Sequence, residues 1–179
     1  MKGIVFTELL EMIEDQYGYG LVDSLLTESN LPSGGVYTAI GTYDHAEMIT
    51  LVDKLSLKTQ LPVPDLLRIY GRYMFRSFTR GYRPFVDRVD SAFALLQSVH
   101  HHVHVEVRKL YPDAELPHFT VEQPSENHLT MRYESERKLS DFAHGLIEGC
   151  LSHFGETATI TKRNLVDDGS IVLFDIVKT

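Results

Sequence analysis

The spacing of apolar residues changes at Pro117, and this change constrains the fold of the 179-residue chain more than any other feature. Before it, apolar residues return every three or four positions, the period of a helix with one buried face. After it they alternate with polar residues, as in strands half-buried on one side. Helices first and strands afterwards imply an α+β fold. The expectation is a helical N-terminal part and a C-terminal four-stranded antiparallel sheet packed on helices.

The pattern predicts helices over residues 3–16, 21–26, 45–57 and about 65–78. Pro32-Ser33-Gly34-Gly35 reads as a turn, because no Gly-Lys-Ser/Thr follows to make it a phosphate loop. Residues 80–84 read as a basic loop, and a long central helix starts near Val89. Beyond Pro117, residues 119–123 and 128–133 form one hairpin about a turn at 124–127. Residues 157–164 and 170–177 form another about Asp167-Asp168-Gly169. A helix over 139–154 separates the two. No repeat, low-complexity stretch or linker divides the chain, so residues 1–179 are expected to be one domain.

The central helix carries His100, His101, His102 and His104. His100 and His104 are four residues apart and share a face, so the pair can hold a metal. The apolar stripe Phe93, Leu96, Val99/Val103, Val107 and Leu110 marks the buried side, with His104 at its edge. A lone histidine there is most often a hydrogen-bonded structural one. His100, His101 and His102 are expected to face solvent.

Net charge is −8, from 17 Lys+Arg and 25 Asp+Glu, which argues against general nucleic-acid binding. Cys150 is the single cysteine, so a disulfide framework or multi-cysteine zinc site is excluded and a reducing cytoplasm fits. Glu8, Glu11, Glu14 and Asp15 interrupt any signal-peptide core, and no apolar run reaches the roughly 20 residues of a spanning helix.

Three landmarks, in order, resemble the haem-NO/oxygen-binding (H-NOX, or HNOB) family. They are the opening MKGIVFTELLEMIEDQYGYGLVDSLL, the run from His104 through Leu110-Tyr111 to Leu116-Pro117-His118, and Tyr133-Glu134-Ser135-Glu136-Arg137, which fits Y-x-S-x-R. The resemblance spans essentially the whole chain and looks like that of a bacterial stand-alone member. It implies haem b (protoporphyrin IX iron) between the helical part and the sheet. His104 would be the axial ligand, Tyr133, Ser135 and Arg137 would hold the propionates, and Pro117 would press on the porphyrin. The distal face would be lined by Val5, Leu9, Met74, Phe78, Phe142 and Leu146. Oxygen-binding relatives have a distal tyrosine where counting from Y-x-S-x-R places Phe142. Tyr73, Tyr82 and His144 are the polar neighbours that would weaken oxygen exclusion if they swung inward.

The function so implied is a nitric-oxide sensor, not an enzyme, that also takes CO. NO weakens the bond opposite it, His104 is released, and the signal passes in trans to a histidine kinase or diguanylate cyclase. No membrane or nucleic-acid partner is expected. One alternative is an oxygen-binding member of the same fold. Another is a metal-dependent enzyme built from the histidine cluster with Glu106 or Asp113, although no H-E-x-x-H or nucleophile elbow supports it. A structural adaptor is the last.

Overall fold

The computed structural model describes residues 1–81 and 83–179; Tyr82 lies outside the described residues. The chain opens with α1 (Gly3–Tyr17), whose Phe6, Leu9, Met12 and Ile13 fall on one face and are buried. Gly3 starts it because a Cβ there would stand 1.8 Å from the Thr38 carbonyl oxygen. Gly18, at φ 83°, ends it. Helix α2 (Tyr19–Glu28) is longer than its apolar core predicts. Helix α3 (His45–Thr59) is capped by the Asp44 carboxylate, which accepts from the Ala46 amide. Helix α4 (Val63–Gly81) packs against α1 and α3, and the four share a core that includes Phe6, Leu9, Ile13, Leu25, Met48, Leu51, Leu66 and Tyr70.

The expected loop over residues 80–84 is not a loop in the described residues: α4 runs through Gly81 and α5 (Arg83–Val86) follows. Arginine is a good helix former, and a basic, polar run by itself does not break a helix. The central helix starts at Ala92 rather than near Val89, because the Ser91 hydroxyl accepts from the Ala94 amide and caps it. It is also not one regular helix. After α6 (Ala92–Ser98) comes a π-helical segment, Val99–Val103, and then α7 (His104–Leu110). The wider turn absorbs one extra residue and resets the face that follows, so His104 heads α7.

The second half is built on the sheet. Strands β1 (His118–Ser125), β2 (His128–Glu134), β3 (Ala158–Asn164) and β4 (Ile171–Lys178) lie in the order β1-β2-β4-β3, every pairing antiparallel. Strand β1 runs into the expected turn and pairs irregularly between Glu122 and Ser125. The central pair carries the core. Leu129, Met131 and Tyr133 stand opposite Ile176, Phe174 and Val172, and all six are buried. Helix α8 (Ser140–His153) covers that face with Ala143, Ile147 and Leu151.

Helices α4 and α8 join the two halves at glycines. A Cβ on Gly71 would fall 2.3 Å from the Phe142 carbonyl oxygen, and one on Gly145 would fall 2.1 Å from that of Arg68. Only a backbone without side chains there allows this approach. Beside the crossing, Arg68 and Arg72 of α4 both donate to Glu148 of α8.

Candidate functional site

A cavity of about 300 Å³ lies between the helical core and the sheet. Its wall on one side comes from Ile4 and Val5 of α1, Met74, Phe75 and Phe78 of α4, and Phe142, Ala143 and Leu146 of α8. The other side is made by Val99 and Val103 of the π segment, His104 and Val107 of α7, the loop through Leu116 and Pro117, Phe119 of β1 and Met131 of β2. Tyr133, Ser135 and Arg137 close one end.

His104 is 8% exposed among these apolar neighbours, and its Nδ1 is buried with no hydrogen-bond partner. Burial pushes its pKa down to about 4, and the positive charge of His100, Arg108 and His118 adds to the effect. The ring is therefore neutral near pH 7 and keeps a lone pair for a metal. A structural histidine there is expected to be hydrogen-bonded, and Nδ1 of His104 has no protein partner among the described residues. Among the described residues no carbonyl accepts from the Nδ1 of His104.

His101 and His102 are exposed as expected, but His100 is half-buried. Its ring centroid lies 4.2 Å from that of His118 and 6.3 Å from that of His104, and its Nδ1 is buried without a partner. His100 therefore faces His118 and the His104 side of the helix, the face it shares with His104 by helical spacing. Among the described residues no three His, Cys, Asp or Glu side chains are placed to hold a metal ion. Glu106 pairs with Lys109, while Asp113 takes Lys2 and Thr42. Among the described residues Glu106 and Asp113 are thus paired away from the histidines.

At the polar end, Arg137 donates from Nη1 to the Glu115 carbonyl (2.9 Å) and from Nη2 to its carboxylate (2.6 Å). The Ser135 hydroxyl accepts from the Arg137 amide (3.2 Å), and the Tyr133 phenol accepts from the Leu139 amide (3.0 Å). Burial raises the Tyr133 pKa, so it stays a neutral phenol. Ser135 lies just beyond β2, which ends at Glu134, in a turn where its amide donates to the Ser170 carbonyl.

The cavity carries no hydrogen-bond donor side chain among its described lining residues on α1 and α4. Val5, Met74, Phe78, Phe142 and Leu146 all line it, but Leu9 does not. Leu9 is 1% exposed in the helical core, one turn beyond Val5 and away from the cavity. Tyr73 and His144 also stay out. The Tyr73 hydroxyl donates to Asp15 (3.0 Å), and His144 lies against Glu148 (3.5 Å) and the Phe174 ring.

Sequence reading passed over Leu95, Val99, Val103, Met131 and Cys150 as lining residues, along with Tyr70 behind the wall. The stripe at Val99 and Val103 was the available signal, but a stripe does not say whether it faces core or cavity. The Cys150 thiol, pushed up to about 12 by burial, is an apolar lining group and not a nucleophile.

The site fits haem in kind. It offers an apolar slot, a neutral imidazole with an unsatisfied nitrogen, and a guanidinium with a hydroxyl and a phenol at one end for carboxylates.

Residues 2–162 match the family described as haem-NO-binding, HNOB. Among solved structures, the Fe(II) unliganded H-NOX protein from K. algicida is 42% identical, with a TM-score of 0.95 over 100% of this chain and 97% of that one. The IWP-051-bound H-NOX from Shewanella woodyi in the Fe(II)CO state is 40% identical, with a TM-score of 0.85 over 100% and 95%. The H-NOX protein from S. oneidensis in the Fe(II)NO state is 28% identical, with a TM-score of 0.93 over 100% and 99%. No curated protein matches the chain.

Proposed function

This chain belongs to the haem-NO-binding (H-NOX, HNOB) family of haem-based gas sensors, and from that we propose that it senses nitric oxide through haem b held by His104. When bound, ferrous haem supplies a metal centre that takes a diatomic gas. Everything else follows from this chain's own residues. His104, neutral and short of a partner, would hold the iron. Tyr133, Ser135 and Arg137 would hold the propionates, with Arg137 sharing or exchanging its grip on Glu115. Pro117 and Leu116 would bear on the face nearest α7.

The observation that carries the choice of gas is the donor-free wall built from Val5, Met74, Phe78, Phe142 and Leu146. Bound dioxygen gathers negative charge and wants a hydrogen bond; NO gathers little. Withholding a donor costs oxygen about 2 kcal/mol, or roughly 30-fold in affinity. CO, also nearly uncharged, should bind. The relative from Shewanella woodyi is described with CO and the one from S. oneidensis with NO.

The chain's response would be the release of His104. That residue heads α7 directly after the π segment, so freeing it unties both from the cavity. Gas binding biases such a two-state element only by binding one state more tightly than the other. We read the protein as a sensor and not an enzyme. Its output would go to a histidine kinase or diguanylate cyclase in trans, in a reducing cytoplasm suited to the single buried thiol of Cys150. No described helix is long and apolar enough to cross a membrane.

The test is to expose the haem-loaded ferrous protein to air and follow its absorption. The proposal predicts oxidation without a lasting oxy complex. A stable oxy spectrum would favour the oxygen-binding reading.

A further inference from the structure

Tyr70 stands one layer behind the donor-free wall and touches it from three elements. It is 2% exposed and is not itself part of the cavity lining. Its hydroxyl donates to the backbone carbonyl of Val5 on α1. The same oxygen lies 3.8 Å from the Met74 sulfur on α4, and the ring stacks on Phe142 of α8 with centroids 4.9 Å apart and planes at 30°. Val5, Met74 and Phe142 all line the cavity.

A buried phenol must place its proton, and few groups in this core can take it. The Val5 carbonyl lies inside α1, where helix bonding uses one lone pair and leaves the other free. The bond therefore pins the first turn of α1 to the middle of α4. The hydroxyl's acceptors are the Val5 carbonyl and, at 3.8 Å, the Met74 sulfur, so its proton is taken up within the wall itself. Filling a core position needs only a ring; the hydroxyl adds a fixed distance between two walls of the cavity.

We propose that Tyr70 is the positioning residue of the gas-facing wall, setting where Val5, Met74 and Phe142 stand and so how a diatomic ligand enters, sits and leaves. The proposal rests on the haem reading given above. Tyr70→Phe keeps the ring and the stack on Phe142 and removes the tie alone. It leaves one lone pair on a carbonyl that still accepts its helical bond, so the fold should survive. Tyr70→Leu removes the stack as well.

The experiment compares wild type, Tyr70→Phe and Tyr70→Leu as haem-loaded ferrous proteins with CO as the probe. It reads the infrared C–O stretching band, CO rebinding after flash photolysis, haem content, and the methyl NMR signal of Met74 in methionine-labelled protein. Tyr70→Phe should load haem as wild type does, broaden or split the C–O band, shift the Met74 methyl, and change the CO rebinding rate by about threefold or more. Tyr70→Leu should show the same changes to a greater degree. A C–O band, Met74 signal and rebinding rate unchanged in Tyr70→Phe would overturn the proposal whatever happens to melting temperature, because a purely structural loss moves only the latter. Failure of the wild type to take up haem would overturn the functional reading and this inference together. Normal haem and CO binding in all three proteins with no difference among them would overturn this inference alone.

Discussion

At the scale of single residues, His104 and Phe142 both line one cavity. His104 is buried, neutral and lacks a partner for Nδ1, a costly arrangement for a histidine with no further task. His104→Gly should therefore abolish stable haem retention, with uptake restored when free imidazole is added; the visible spectrum of the reduced protein reads both. An unchanged ferrous spectrum would remove His104 from the site. Phe142 stacks its ring on Tyr70 and is part of the wall of the same cavity. Phe142→Tyr should place a hydroxyl on that wall and raise oxygen affinity by roughly 30-fold, the equivalent of about 2 kcal/mol. An oxygen-binding isotherm measures the change. Counting from the sequence landmarks singled out His104 and Phe142, and both line the cavity. Leu9 was not: one turn separates it from Val5, and the sequence does not show where the cavity stops and the core begins.

At the scale of elements, the crossing of α4 and α8 holds the wall together. Gly145→Ala would drive a methyl to 2.1 Å from the Arg68 carbonyl oxygen, against backbone that cannot yield. The helices must separate, which costs about 1–3 kcal/mol and lowers the melting temperature by several degrees. Calorimetry should show it. The Glu148 carboxyl beside that crossing adds a pH dependence. Burial raises its pKa, but Arg68 and Arg72 outweigh burial and hold it below its usual 4.5. A carboxyl depressed in the folded state contributes stability that is fully present above 4.5 and lost as pH falls through the folded value. Wild type should therefore lose its advantage over Glu148→Gln as pH drops below about 4.5, with the difference largest near neutrality; urea titrations across that range measure it. The main helices and both hairpins could be read from periodicity. The π segment could not, because one inserted residue leaves the apolar pattern of Val99, Val103 and Val107 intact. The α4 extension through Gly81 was missed for another reason: its last turn is basic and half-exposed, so no apolar period marks it.

At the scale of the molecule, two cores meet around a space that neither fills. The helical core ends at Val5, Met74 and Phe142, and the sheet core ends at Val99, Val103 and Met131. The change of period at Pro117 made the two halves legible, but a cavity between them has no periodic signature. Only the family landmarks pointed to it. A ligand bound there joins both halves and adds its binding free energy to the stability of the whole. Release of one attachment, His104, would then be felt by the helix that carries it and by the wall opposite. The most direct test of this arrangement is the visible absorption spectrum of the haem-loaded, reduced protein before and after NO is added. The account predicts a histidine-ligated ferrous spectrum that shifts to shorter wavelength, as expected when NO binds and the imidazole leaves. A chain that takes up no haem, or a spectrum that NO leaves unchanged, would contradict it.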